Sequence, residues 1–186
     1  MPNLSLLDSS YLPDEIREFV EALPFPDLGE GEVNSSASEN LELLLNTHGL
    51  SHNLVGAGLW LAIGELDRSH SISQHDDSST GSYWHGIMHR REGDYGNAKY
   101  WFRRAKGHPM VGSLAAEIRE QEEIDGVAGI TPGLLSDEEN LAVNLVDLVA
   151  ANVSQESTPA HETLLKVCWW EWQLLMRVTC RQEGAC

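Results

Sequence analysis

The sequence predicts an all-α fold, a single-domain bundle of seven or eight helices spanning residues 1–186. Three observations carry this expectation. Apolar residues recur in segment after segment at the three-to-four-residue spacing of one helix face. Helix start and stop residues (Ser, Thr, Pro, Gly) punctuate those segments. No segment alternates with β-branched residues for long enough to make a half-buried strand.

The elements follow in order. Ser10 to Leu23 reads as a helix with Pro13 in its first turn and Asp14 and Glu15 near its positive end. Pro24 and Pro26 stop it. Residues 27–38 (DLGEGEVNSSAS) form a polar linker that is expected to be mobile. Ser38 caps a short helix through Thr47, and Ser51 caps the next. That helix carries Leu54, Val55, Leu59, Trp60, Leu61, Ile63 and Leu66, is apolar on nearly every face, and belongs at the centre. Residues 71–81 read as a polar loop before a hairpin of two helices, about 82–91 and 95–106. A further helix runs from Pro109 to about Glu123, and the segment IDGVAGITPGLL is a loop of turn residues. Ser136 with Glu139 forms a capping box ahead of a helix to about Val153. Thr158 and Pro159 open the last helix, which ends near Arg181 and leaves residues 182–186 as a frayed tail.

Composition narrows the function classes. With 41% apolar residues and six Trp among 186, the chain has the material for a real core. A formal charge of −17 and a pI near 4.7 argue against nucleic acid and anionic membranes as partners. The cysteines Cys168, Cys180 and Cys186 form no CxxC pair, so neither a zinc knuckle nor a disulfide framework is indicated. No basic-then-apolar leader and no membrane-length apolar run is read, and a reducing, cytoplasmic location is the expectation.

Within the hairpin, Gly86, Gly93, Tyr95, Ala98, Phe102 and Ala105 fall at spacings that resemble one tetratricopeptide repeat, with Pro109 one residue early for the closing proline. The resemblance covers residues 82–109 alone. No second copy is present, and an array needs several, so it implies one helical hairpin inside a bundle. In that register the large apolar inner positions of the first helix are occupied by His85 and His89, and the resemblance therefore implies that both face inward.

His85 and His89 are four residues apart, which puts both imidazoles on one helix face. Glu92 lies at the helix end, and His70 and His75 lie just upstream. Histidines with a carboxylate make a minimal site for one divalent first-row metal, with His70, His85, His89 and Glu92 as candidate ligands. The same pair is also compatible with hydrogen-bonded core histidines. Glu171 sits among Trp169, Trp170, Trp172, Leu174 and Leu175, where a carboxylate is half buried. It reads either as an acid of raised pKa, catalytic together with His85 and His89, or as the anion of a structural ion pair. Of the twelve Lys and Arg, six lie between residues 90 and 106, interleaved with Tyr83, Trp84, Tyr100 and Trp101. Arg90, Arg91, Arg103 and Arg104, with Tyr83 and Trp84, are candidates for holding an anionic small molecule through forked guanidinium bonds.

Two functions from different classes follow. The first is a small helical enzyme with an interior His/Glu site, metal-dependent or acting by acid–base chemistry alone, on an anionic small substrate; hydrolase, lyase and isomerase are not distinguished. The second is a non-catalytic tetratricopeptide-like module that binds an acidic peptide or a partner subunit. A homodimer through the Trp-rich last helix is compatible with both.

Overall fold

Thr80 to Arg91, twelve consecutive residues of one helix, are all buried, and the rest of the chain is arranged around them. The computed structural model describes residues 4–7, 9–125 and 130–184. Its α-helices are α1 (Asp14–Glu21), α2 (Ser35–His48), α3 (Leu54–Ala62), α4 (Leu66–Ser73), α5 (Ser79–Arg91), α6 (Tyr95–Arg104), α7 (Met110–Asp125), α8 (Thr131–Leu134), α9 (Leu141–Asn152) and α10 (Pro159–Glu183). Short 3-10 turns occupy Ser9–Tyr11 and Glu138–Asn140, and no strand occurs among the described residues. The central helix α5 packs against α6, α4, α3 and α10; α6 leans on α9, and α10 also contacts α7.

The fold is thus all-helical, with ten α-helical segments among the described residues in place of the seven or eight expected. The expected central helix is broken. Gly64 adopts a left-handed φ of 82° after Ile63, so α3 ends and α4 starts afresh at Leu66. The other additional element is the single turn α8, inside the segment expected to be a loop, of which residues 126–129 lie outside the described residues.

Caps explain the shifted boundaries. Asn34, not Ser38, caps α2 by accepting from the Ala37 N–H at 3.1 Å, while the Ser38 hydroxyl is turned onto Glu65 at 2.5 Å. Asn53, not Ser51, caps α3 through the Gly56 N–H at 3.1 Å; Ser51 donates instead to Asn46 at 2.6 Å. Ser78 caps α5 through the Gly81 N–H at 3.0 Å, so residues 71–81 are helix at both ends and loop only between. The Ser136–Glu139 capping box does not form, because the Ser136 hydroxyl donates back to the Gly133 carbonyl at 2.9 Å and the chain makes a 3-10 turn before α9. Thr158 caps α10 as expected, through the His161 N–H at 3.2 Å, and that helix runs to Glu183 before Gly184 closes it with a φ of 62°.

The linker before α2 is anchored. Leu28 is buried, and the Arg91 side chain donates to the carbonyls of Gly29 at 2.9 Å, Glu30 at 3.1 Å and Leu61 at 2.5 Å. A guanidinium therefore ties the linker to the C-terminal end of α3, where the last carbonyls of a helix accept cations. In α10, Trp169 and Trp172 are both buried and stacked at 4.8 Å, and Trp170 is half-buried against the same core. No helix among the described residues is long and apolar enough to cross a membrane.

The α5–α6 contact depends on a missing side chain. A Cβ at Gly86 would stand 2.9 Å from two ring carbons of Phe102. Gly86→Ala is expected to cost about 1–3 kcal/mol in urea denaturation, because the ring must shift in a filled core. Gly112→Ala, in α7 with nothing within 4 Å of the added Cβ, is expected to raise stability by about 0.5–1 kcal/mol.

Candidate metal centre

A helix buried on every side must find partners for each polar group it carries. On α5 the two sides do this differently. At roughly 100° per residue, Tyr83 and Arg90 fall on one side of the helix and His85 and His89 on nearly the opposite one. On the first side, Arg90 makes a forked pair with the fully buried Glu171 of α10, one arm at 3.2 Å and the other between Nη2 and Oε2. The Tyr83 hydroxyl donates to the same carboxylate at 2.9 Å. Burial works against the charge of Arg90, but Glu171 beside it raises its pKa above the usual arginine range. Burial and then Glu171 push the Tyr83 phenol up as well, so it stays a donor.

The neighbouring polar groups are also satisfied. The Trp84 indole donates to Thr179 at 3.0 Å. Thr80 donates to Gln182 at 2.7 Å and meets His108 Nε2 at 3.1 Å, while the Met110 N–H points at His108 Nδ1 from 3.3 Å. That pattern assigns the proton to Nε2 of a neutral His108, whose pKa is lowered to about 4 by burial.

The opposite side of α5 is arranged otherwise. His70 of α4 comes against His85 and His89 with ring centroids 4.8 and 5.7 Å away, and His85 and His89 are 4.7 Å apart. One nitrogen from each of the three rings lies within 4.8 Å of the others. Trp101 of α6 stacks on His85 at 4.2 Å and 19°, closing one wall. His85 is buried, and its pKa is lowered to about 4, first by burial and then by His89 and His70, with the Ser73 carbonyl opposing. It is therefore a neutral imidazole at pH 7, the form that ligates metals. Glu92 accepts at His89 Nδ1 from 2.5 Å.

Helices α4 and α5 also carry buried polar atoms without partners. Among the described residues, His85 Nδ1 and the hydroxyls of Ser69 and Ser73 are buried and make no hydrogen bond. The donor set fits a borderline first-row ion. Zn–N bonds of about 2.0–2.1 Å in a tetrahedron place nitrogens about 3.4 Å apart, within reach of the three rings by side-chain adjustment.

The residues expected to act together divide into two groups. The structure brings His70, His85 and His89 together, and joins Glu92 to His89 alone. It does not bring Glu171 to them: that carboxylate is on the far side of α5, enclosed by Arg90 and Tyr83, so a shared catalytic site of His85, His89 and Glu171 does not form. Arg90 and Arg91 are buried against Glu171 and backbone carbonyls, and Tyr83 and Trp84 are core, so these four do not face solvent as an anion grip. Arg103 and Arg104 are exposed; Arg104 lies 5.0 Å over the Trp101 ring and 3.5 Å from Asp77. His75 turns back to the Ser71 carbonyl at 2.9 Å. Sequence reasoning missed the buried His108, which lies between helices and outside any apolar period. Trp101 was noted only as part of the aromatic–basic cluster.

No family model matches the chain, and neither the comparison with curated proteins nor that with solved structures finds a match.

Two outcomes follow from this geometry. Glu171→Gln leaves Arg90 charged, buried and half-partnered, and is expected to lower unfolding free energy by about 3–5 kcal/mol in urea. A folded-state pKa near 4 for His108, against 6.5 unfolded, means the unfolded chain binds more protons between those values. Stability is then full above pH 6.5 and falls as pH drops toward 4; the melting temperature of His108→Gln should fall less steeply across that window.

Proposed function

We propose that this protein is a small metal-dependent helical enzyme in which His70, His85 and His89 hold one divalent first-row ion, zinc being the first choice. The observation that carries the reading is the convergence of three imidazoles, one of them buried and neutral, on a helix whose other polar groups are satisfied by protein. Three neutral ligands leave an open position for water or substrate, as catalytic zinc sites do. The ion supplies a Lewis acid and lowers the pKa of bound water. Of this chain's own residues, Trp101 walls the site, and Arg104, exposed over that ring, is the nearby cation suited to an anionic small substrate.

A second reading rests on the outer face of α6. Tyr100 is 51% exposed, with Arg103 and Arg104 exposed beside it, a surface suited to an acidic peptide if the hairpin serves as a tetratricopeptide-like module.

Metal analysis and zinc titration of protein purified without a His-tag separate the two. The enzyme reading expects one zinc per chain, lost in His85→Ala and His89→Ala and weakened in His70→Ala. It also expects a melting temperature that rises with zinc; at a hundredfold excess over Kd the gain is about 2.7 kcal/mol. Wild-type protein that binds no ion, while an acidic peptide binds it and both histidine variants alike, would establish the module instead.

A further inference from the structure

Among the described residues, Glu92 is the carboxylate hydrogen-bonded to the histidine cluster, with Asp94 close beside the same His89, and the place of Glu92 in the helix is odd. It is the residue that ends α5, after His89, Arg90 and Arg91. A carboxylate there faces the negative end of the helix dipole, where cations are favoured and anions are not. It gains no compensation as a cap, since its side chain reaches back to the imidazole three residues earlier. Gly93, left-handed at φ 85°, then turns the chain, and Asp94 caps α6 through the Asn97 N–H at 3.0 Å. The two acids divided by this turn thus differ in their bonds: Asp94 caps the backbone, with its carboxylate within 4.8 Å of the pair, while Glu92 bonds His89 directly.

The contact also fixes which nitrogen is free. Glu92 Oε1 sits 2.5 Å from His89 Nδ1, so the proton belongs on Nδ1, and in the neutral ring the lone pair is then on Nε2. A histidine that ligates a metal with one nitrogen commonly donates its other N–H to a carboxylate, which sets the ring's orientation and raises its basicity. Glu92 is 39% exposed at the side chain and His89 only 11%, so the acid reaches in from the rim while the ring sits inside.

We infer that Glu92 is a positioning residue and not a ligand: it holds His89 in the tautomer that presents Nε2 to the ion shared with His70 and His85. This rests on the metal reading above, and its test is built to fail separately. Zinc affinity of metal-free protein is measured by competition with a chromophoric chelator, and coordination is followed by the visible absorption of the cobalt(II)-substituted protein. Glu92→Ala is expected to bind one zinc per chain with affinity lowered 10- to 100-fold, to leave the cobalt band positions unchanged, and to keep the metal-free melting temperature. Glu92→Gln, which retains an acceptor without the charge, should fall between. Unchanged affinity in Glu92→Ala would overturn the inference, as would a cobalt spectrum altered as by loss of a ligand. A second ion in the wild type that disappears with Glu92→Ala would overturn it too, by assigning Glu92 and Asp94 to another site. A wild type that binds no metal defeats the metal reading itself, and the inference with it.

Discussion

The whole bundle answers to one constraint: α5 is buried along nearly its full length, yet it is not an apolar helix. It carries Thr80, Tyr83, Trp84, His85, His89, Arg90 and Arg91 into the interior. Each polar group removed from water costs several kcal/mol unless a partner replaces the solvent, and a charge costs more. The surrounding elements supply those partners. Glu171, Thr179 and Gln182, spread along α10, take Arg90 with Tyr83, then Trp84, then Thr80. The linker and the end of α3 take Arg91 through three carbonyls. The long last helix is therefore tied to α5 by polar matching as well as by its tryptophans, and the linker is bonded through two carbonyls to the Arg91 guanidinium.

The histidine side of α5 departs from that rule. Its neighbour α4 is short, separated from α3 by the Gly64 turn, and it brings a third histidine against the other two, whose His89 is bonded to Glu92 and whose His85 Nδ1 has no partner. Burial first, and then His89 and His70 beside it, hold the His85 imidazole neutral. Ser69 and Ser73, buried on the same helix, add hydroxyls with no partner. A chain that satisfies Arg90 and Arg91 so fully does not lack the means to satisfy imidazoles. Among the described residues, the buried polar atoms without a partner include His85 Nδ1, Ser69 and Ser73 on these two helices, and Arg17 Nε, Gln173 Nε2 and Arg177 Nε elsewhere.

What could be read from the sequence was whatever depends on local spacing. Gly86 and Phe102 meet as their positions in a helical hairpin require, and His85 and His89 share an inward face for the same reason. Capping residues were placed to within a few positions but often on the wrong side chain, because Ser38 and Ser51 had competing partners, Glu65 and Asn46, that no local pattern reveals. The role of Glu171 was not legible. Its choice between buried acid and ion pair turns on Arg90, 81 residues away in the chain, and burial alone argued equally for both. The arginine cluster misled for a related reason. Charge counts mark where cations are, not whether they face water, and Arg90 and Arg91 turned inward while Arg103 and Arg104 stayed out.

That division bears on how an acidic protein would handle an anion. With a formal charge of −17, the surface field opposes an anionic substrate, and the two buried arginines are screened from it by their own partners. In the proposed site the attraction falls to the ion, with Arg104 beside it. Neutral imidazoles leave a divalent ion with its full charge, whereas a ligating carboxylate would cancel part of it. Keeping Glu92 on the far nitrogen of His89, rather than on the ion, therefore serves two ends together. It orients the ring, and it leaves the ion more electrophilic than direct ligation by the same carboxylate would. In this reading, the position of one oxygen against Nδ1 sets how much of the ion's charge is left to face a substrate.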